Sequence, residues 1–166
     1  MLNRPYQGYT VTPLSLEELR DLTEARAAIE SLVTKLSVAK GDVTWEANAI
    51  AAHHLLERAI FIDESDPGRP TDEWAAAHTA FHFALMAGCP NQHLLQMAMK
   101  LRIEAAIYQM WSVSFRHDPT RDGVVEHRAM LDAALARDES HSAELVIDHL
   151  WLTANLLLDP QHQRLS

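Results

Sequence analysis

From Leu14 to Leu158 apolar residues recur every three or four positions, and no segment alternates in the two-residue rhythm of a half-buried strand. A chain patterned this way buries its apolar stripes by packing helix against helix, so the expected fold class is all-α. Caps and breakers mark the helices. Ser15 and Glu18 form a capping box, with Leu14 and Leu19 spaced as a hydrophobic staple, so the first helix starts at Leu16; Leu22, Ile29, Val33 and Leu36 carry its stripe to Gly41. The second is expected over Val43–Asp63, ahead of a loop at Asp66–Pro70. Thr71 caps a third, with Asp72 and Glu73 in its first turn and Gly88 and Pro90 as its stop. A fourth runs from Asn91 to Phe115, and a loop covers Arg116–Gly123. Val124–Arg137 and Ser140–Leu158 are the fifth and sixth, ended by Asp159 and Pro160. Six helices on short connections predict a single antiparallel bundle in which successive helices lie side by side.

With 166 residues, 48% of them hydrophobic, the chain can bury one sizeable core and is too short for two ordinary domains. The domain is expected over residues 14–160, between a linker-like segment at 1–13 and a tail at 161–166 that lack helical patterning. No stretch reaches the roughly 18 to 20 consecutive apolar residues of a membrane span, and the N-terminus lacks the apolar core of a signal peptide. The single cysteine, Cys89, forms no internal disulfide, so the expected compartment is the cytoplasm. A net charge of −9 with no basic cluster repels a phosphate backbone, so this chain alone is not expected to bind DNA.

The ten histidines carry most of the chemistry. His78 and His82 are four residues apart, on one helical face, at a spacing that a metal ion can bridge. Trp74, Phe81 and Leu85 share that side of the third helix and turn it inward. His127 lies in the stripe Val124, Leu131, Ala134, and His149 lies in the apolar run from Leu145 to Leu158. A lone histidine on an apolar face is more often a hydrogen-bonded core or boundary residue than a ligand. Several buried together are costly unless they share a partner, and a divalent metal satisfies them all. The other six, His53, His54, His93, His117, His141 and His162, are expected at surface or boundary positions.

Together these residues resemble the FadR C-terminal (FCD) domain, the helical effector-binding module of GntR-family transcription regulators. The resemblance runs from GYTVTPLSLEELRDLTEARAAIE, with its Arg26-x-x-x-Glu30 pattern, through HTAFHFAL and EHRAMLDAALARD to the helix of His149. In metal-binding members the first motif is Asp-x-x-Phe-His, followed by a histidine in a Glu-His motif and another on the last helix. The matching positions are His78, His82, His127 and His149, so a histidine stands at the aspartate position. Either His78 completes an all-imidazole shell, about one unit more positive than the family's and more attractive to an anion, or it stands aside. Imidazole ligands suit zinc, nickel, copper or iron better than magnesium or calcium; zinc is the expected metal.

The resemblance implies a small carboxylate effector, a homodimer, and a winged helix preceding this domain through which DNA is bound; the chain starts where such a wing would end. It makes Arg26 a candidate contact for the effector carboxylate; otherwise Arg26 forms an exposed pair with Glu30. Arg102, Glu104, Tyr108, Gln109 and Asn155 are further candidates for the cavity wall. The expected function is ligand sensing rather than catalysis. The alternative is a metalloenzyme, a hydrolase or oxygenase using the same centre; against it, Glu126 adjoins His127 and should point about 100° away around the helix, leaving no obvious general base.

Overall fold

The computed structural model describes residues 15–63, 66–114 and 123–159; the expected linker at 1–13, the tail at 161–166 and all but the last residue of the loop before the fifth helix lie outside these. Six helices make up the all-α bundle: α1 (Leu16–Lys40), α2 (Val43–Arg58), α3 (Asp72–Met86), α4 (Gln92–Ser114), α5 (Gly123–Leu135) and α6 (Glu139–Leu158). Local chemistry places their starts. The Ser15 hydroxyl accepts from the Glu18 amide at 3.3 Å, and Asp42 accepts from the Trp45 amide at 2.8 Å. Thr71 Oγ1 accepts from the Trp74 amide at 3.1 Å, so each side chain satisfies an N–H that its helix cannot.

Two departures from the sequence expectation lie between α2 and α3. Helix α2 ends at Arg58, five residues before Asp63, and the segment expected to be a loop pairs as a small antiparallel hairpin of β1 (Ile62–Asp63) and β2 (Asp66–Pro70). Long-range contacts override the helical pattern here. The Thr71 hydroxyl donates to the Ile60 carbonyl, the Thr71 amide donates to the Phe61 carbonyl at 3.0 Å, and the Phe61 ring meets Trp74 edge-on at 4.6 Å.

The order in space also differs from the order in sequence. Helix α1 packs mainly against α6, from the opposite end of the chain, and also against α4 and α3; α2 packs against α3 and α5, and α5 against α6. The largest core cluster includes Trp45, Phe81, Leu85, Met130, Leu131 and Leu150 and lies where α2, α3, α5 and α6 converge. A second, with Val33, Met86 and Leu95, joins α1 and the α3–α4 turn to α4. That turn approaches α1 closely enough to require glycine. A Cβ on Gly88 would sit 2.8 Å from the Ser37 carbonyl oxygen, while the Gly88 amide donates to Ser37 Oγ at 2.8 Å.

Arg137 was expected to be the last residue of the fifth helix. It lies two residues beyond α5 with φ 60, a left-handed conformation that ends the helix. Its guanidinium donates to the carbonyls of Val38 at 2.8 Å and Gly41 at 2.7 Å, pairs with Glu46 and lies over the Trp45 ring. One side chain thus satisfies carbonyls at the end of α1 and ties α1 to α2. Arg137→Gly, which relaxes the backbone while removing the guanidinium, is expected to cost about 1 to 2 kcal/mol net, because charge-assisted bonds outweigh the left-handed strain. A thermal melt should show a midpoint lower by roughly 2 to 8 °C.

Candidate metal centre

The four inward-facing histidines come together. His78 and His82 on α3, His127 on α5 and His149 on α6 are all buried, and one ring nitrogen from each lies within 4.8 Å of every other. Ligands about 2.0 to 2.1 Å from a shared ion can be at most about 4.2 Å apart, so the set fits a transition metal after shifts of a few tenths of an ångström. His78 Nε2 and His82 Nε2 are only 3.1 Å apart, as the i, i+4 spacing predicts. The rings pack edge-on or tilted, with centroids 5.0 Å apart for His82 and His149 and 4.8 Å for His127 and His149. Trp74 stacks on His78 at 4.7 Å, and the Phe81 ring borders both His82 and His127 at 5.5 Å.

Electrostatics favour the neutral form of His82. Burial holds the His82 pKa well below the ordinary 6.5, and Arg102 and the other three imidazoles lower it further. His82 is therefore neutral at pH 7, as a metal ligand must be.

Glu126 is the residue sequence reasoning missed. Its carboxylate lies 2.8 Å from His149 Nδ1. Residues 126 and 127 do diverge around α5, but α6 packs against that helix, so His127 joins the cluster while Glu126 meets the far nitrogen of His149.

Arg26 and Arg102 form a second buried group with Glu30. Arg26 Nε donates to Glu30 Oε1 at 2.6 Å, and Arg102, from α4, donates to Glu30 Oε2 at 2.7 Å. The pair on α1 is not the exposed one considered from sequence: Arg26 is 5% exposed, Glu30 2% and Arg102 6%. Two guanidiniums share one carboxylate, which leaves excess positive charge, and Arg26 Nη2 and Arg102 Nε are buried without a hydrogen-bond partner among the described residues. Burial lowers the Arg102 pKa, and Glu30 opposes that shift. Arg26 also lines a small cavity with Leu19, Tyr108, Thr153, Ala154 and Leu157. Asn155 does not join this group. It is exposed, in a separate surface groove with Arg20, Glu24, Trp151 and Asp159, and Glu104 is exposed on α4. The side chain of Gln109 lies outside the described residues.

His54, His93 and His141 are exposed as expected, and His117 and His162 lie outside the described residues. His53 is a correction: it is 2% exposed, because Trp45, Ala49, His53 and Leu56 share the face of α2 turned to the core. That spacing was legible in the sequence. Its ring lies edge-on to Phe81 at 5.3 Å, with Nδ1 3.5 Å from Glu57. Burial lowers the His53 pKa below 6.5, and Glu57 partly restores it. Since the folded pKa is the lower one, this contribution to stability is complete above about pH 6.5 and declines as the pH falls below it. Melting of the metal-free protein is therefore expected to move to lower temperature on acidification, with a shallower fall for His53→Gln. Equal slopes would remove His53 from the account.

Comparison with known proteins identifies the family. A sequence profile of the FCD domain matches residues 21–151. The HTH-type transcriptional repressor GlaR of Escherichia coli (strain K12) is 37% identical over 147 residues, covering 87% of this chain and 66% of that protein. The HTH-type transcriptional regulator BphR of Paraburkholderia xenovorans (strain LB400) is 33% identical over 144 residues, covering 87% and 58%. A crystal structure of a GntR-family transcriptional regulator from Pseudomonas syringae pv. tomato str. DC3000 shares the fold with a TM-score of 0.67 at 21% identity, over 97% of this chain and 64% of that one. The chain thus spans about two thirds of the length of these proteins or less. Its matched residues take in all four clustered histidines and Glu126, and the chain belongs to the FCD domain family.

Proposed function

We propose that this chain is the ligand-sensing domain of a GntR-type transcription regulator, binding a small organic acid at a divalent transition metal held by His78, His82, His127 and His149. The observation that carries the reading is the burial of four convergent imidazoles in the same bundle as two arginines whose charge one glutamate only half balances. An all-imidazole donor set favours zinc, with nickel, iron or copper as alternatives, over the oxygen-seeking magnesium and calcium. A bound ion would supply Lewis-acid attraction for an anionic oxygen.

The chain's own residues supply the rest of the recognition. Arg26 Nη2 and Arg102 Nε are buried donors able to give hydrogen bonds to a carboxylate, and such charge-assisted bonds are among the stronger ones proteins make. The Arg102 charge lowers the His82 pKa, which supports a coupling of that arginine to the histidine cluster. Sensing is preferred to turnover because the carboxylate nearest the histidine motifs, Glu126, is engaged by His149 rather than held as a general base.

Effector binding would shift the bundle between two arrangements and so control a winged helix on its N-terminal side, which binds the DNA that this acidic chain repels. The domain would act as a homodimer, for which Val43 and Leu55 on α2 and Ile103 on α4 are exposed apolar side chains. A thermal-shift screen of dicarboxylates and hydroxycarboxylates, run with and without chelator, tests the reading. Stabilisation by one acid that disappears on chelation supports it; no response to any acid in the metal-loaded protein counts against it.

A further inference from the structure

Resting on the metal reading above, we propose that Glu126 is a positioning residue for the centre: its carboxylate fixes the ring and tautomer of His149 so that the lone pair of Nε2 is presented to the metal. The 2.8 Å contact joins Glu126 Oε2 to Nδ1 of a buried histidine. An ionised carboxylate can only accept, so Nδ1 carries the proton and Nε2 is left as the donor to a metal. Helix α5 therefore contributes twice. His127 faces the cluster, and the preceding residue reaches the back of the ligand supplied by α6.

The charge has a second effect. The centre lacks a carboxylate ligand at the His78 position, and a negative charge behind His149 raises the basicity of that imidazole through its polarised N–H. Glu126 is buried more lightly than the ring it holds, with 18% of its side chain exposed against 6% for His149.

The test compares wild type, Glu126→Gln, Glu126→Ala and His149→Ala, titrated with zinc against a chromophoric chelator. Losing such a partner typically weakens metal binding about 10-fold to 100-fold. Glu126→Ala is expected in that range. Glu126→Gln, which keeps an acceptor oxygen but no charge, is expected at its lower end. Long-range proton–nitrogen spectra of the metal-free imidazoles should show His149 in the Nδ1–H form in wild type and without that bias in Glu126→Ala. A merely structural role would leave this readout unmoved. Affinity within about twofold of wild type, with the tautomer unchanged, overturns the proposal. So does a loss as large as that of His149→Ala, which would make the carboxylate itself a ligand. If Glu126→Ala fails to fold, Glu126→Gln decides by the same two measurements. A wild-type chain that binds no zinc overturns the centre, and this role with it.

Discussion

Purified without chelator and loaded with zinc or nickel, the wild-type chain is expected to retain about one ion per molecule, and His82→Ala and His127→Ala to retain none after the same dialysis. Both residues are buried members of the cluster, one from α3 and one from α5. Alanine removes the ligand and leaves a void bordered by Phe81. Because the metal would bind only the folded chain, loading at about a thousand times its dissociation constant adds about 4 kcal/mol of stability. Chelation should therefore lower the melting midpoint by roughly 8 to 16 °C in the wild type and leave the two variants unmoved. Metal analysis and thermal melts with and without chelator check both halves. A wild-type protein purified metal-free, whose melt ignores added zinc and nickel, would reduce the four histidines to a hydrogen-bonded core cluster.

The second large effect concerns the anion. In the metal-loaded protein, Arg26→Ala and Arg102→Ala are each expected to weaken binding of the carboxylate found by screening by about 2 to 5 kcal/mol, or roughly 30-fold to several thousand-fold. Removing the metal should weaken it separately. Each guanidinium already donates to Glu30, yet each keeps a buried nitrogen with no acceptor, and an entering carboxylate is the group that would satisfy them. A lysine offers no planar fork, so Arg26→Lys should recover little. Calorimetry on the folded variants, with melts confirming that Glu30 has not unfolded the bundle once half its pairing is lost, separates the outcomes. If Arg26→Ala and Arg102→Ala bind as tightly as wild type while the metal-free protein does not bind, the arginines serve only Glu30. If none of the changes matters, the acid binds elsewhere, for example in the groove beside Asn155.

These two experiments probe features that were legible to different degrees. Helix starts could be read because a cap and the amide it satisfies are three residues apart, as at Ser15 and Glu18 or Thr71 and Trp74. The His78–His82 pair could be read for the same reason, since one helical turn fixes it. His53 is legible from its place in the Trp45, Ala49, Leu56 stripe, although its polarity argues for a boundary position.

What the sequence by itself determined, then, is whatever depends on neighbours within about one helical turn: the six helices, their caps, and the inward faces that carry the histidines. Only the tertiary structure decided that α1 lies against α6, that Arg102 reaches across 72 positions to share Glu30, that Glu126 meets His149 across 23, and that residues 62–70 pair as a hairpin. The physical reason is that helical periodicity specifies which side of a helix is buried but not which partner buries it. The rotation and offset of each pair are set by side-chain interlocking over the whole core, and a shift of a few ångströms there would separate Glu126 from His149 without altering a single local signal.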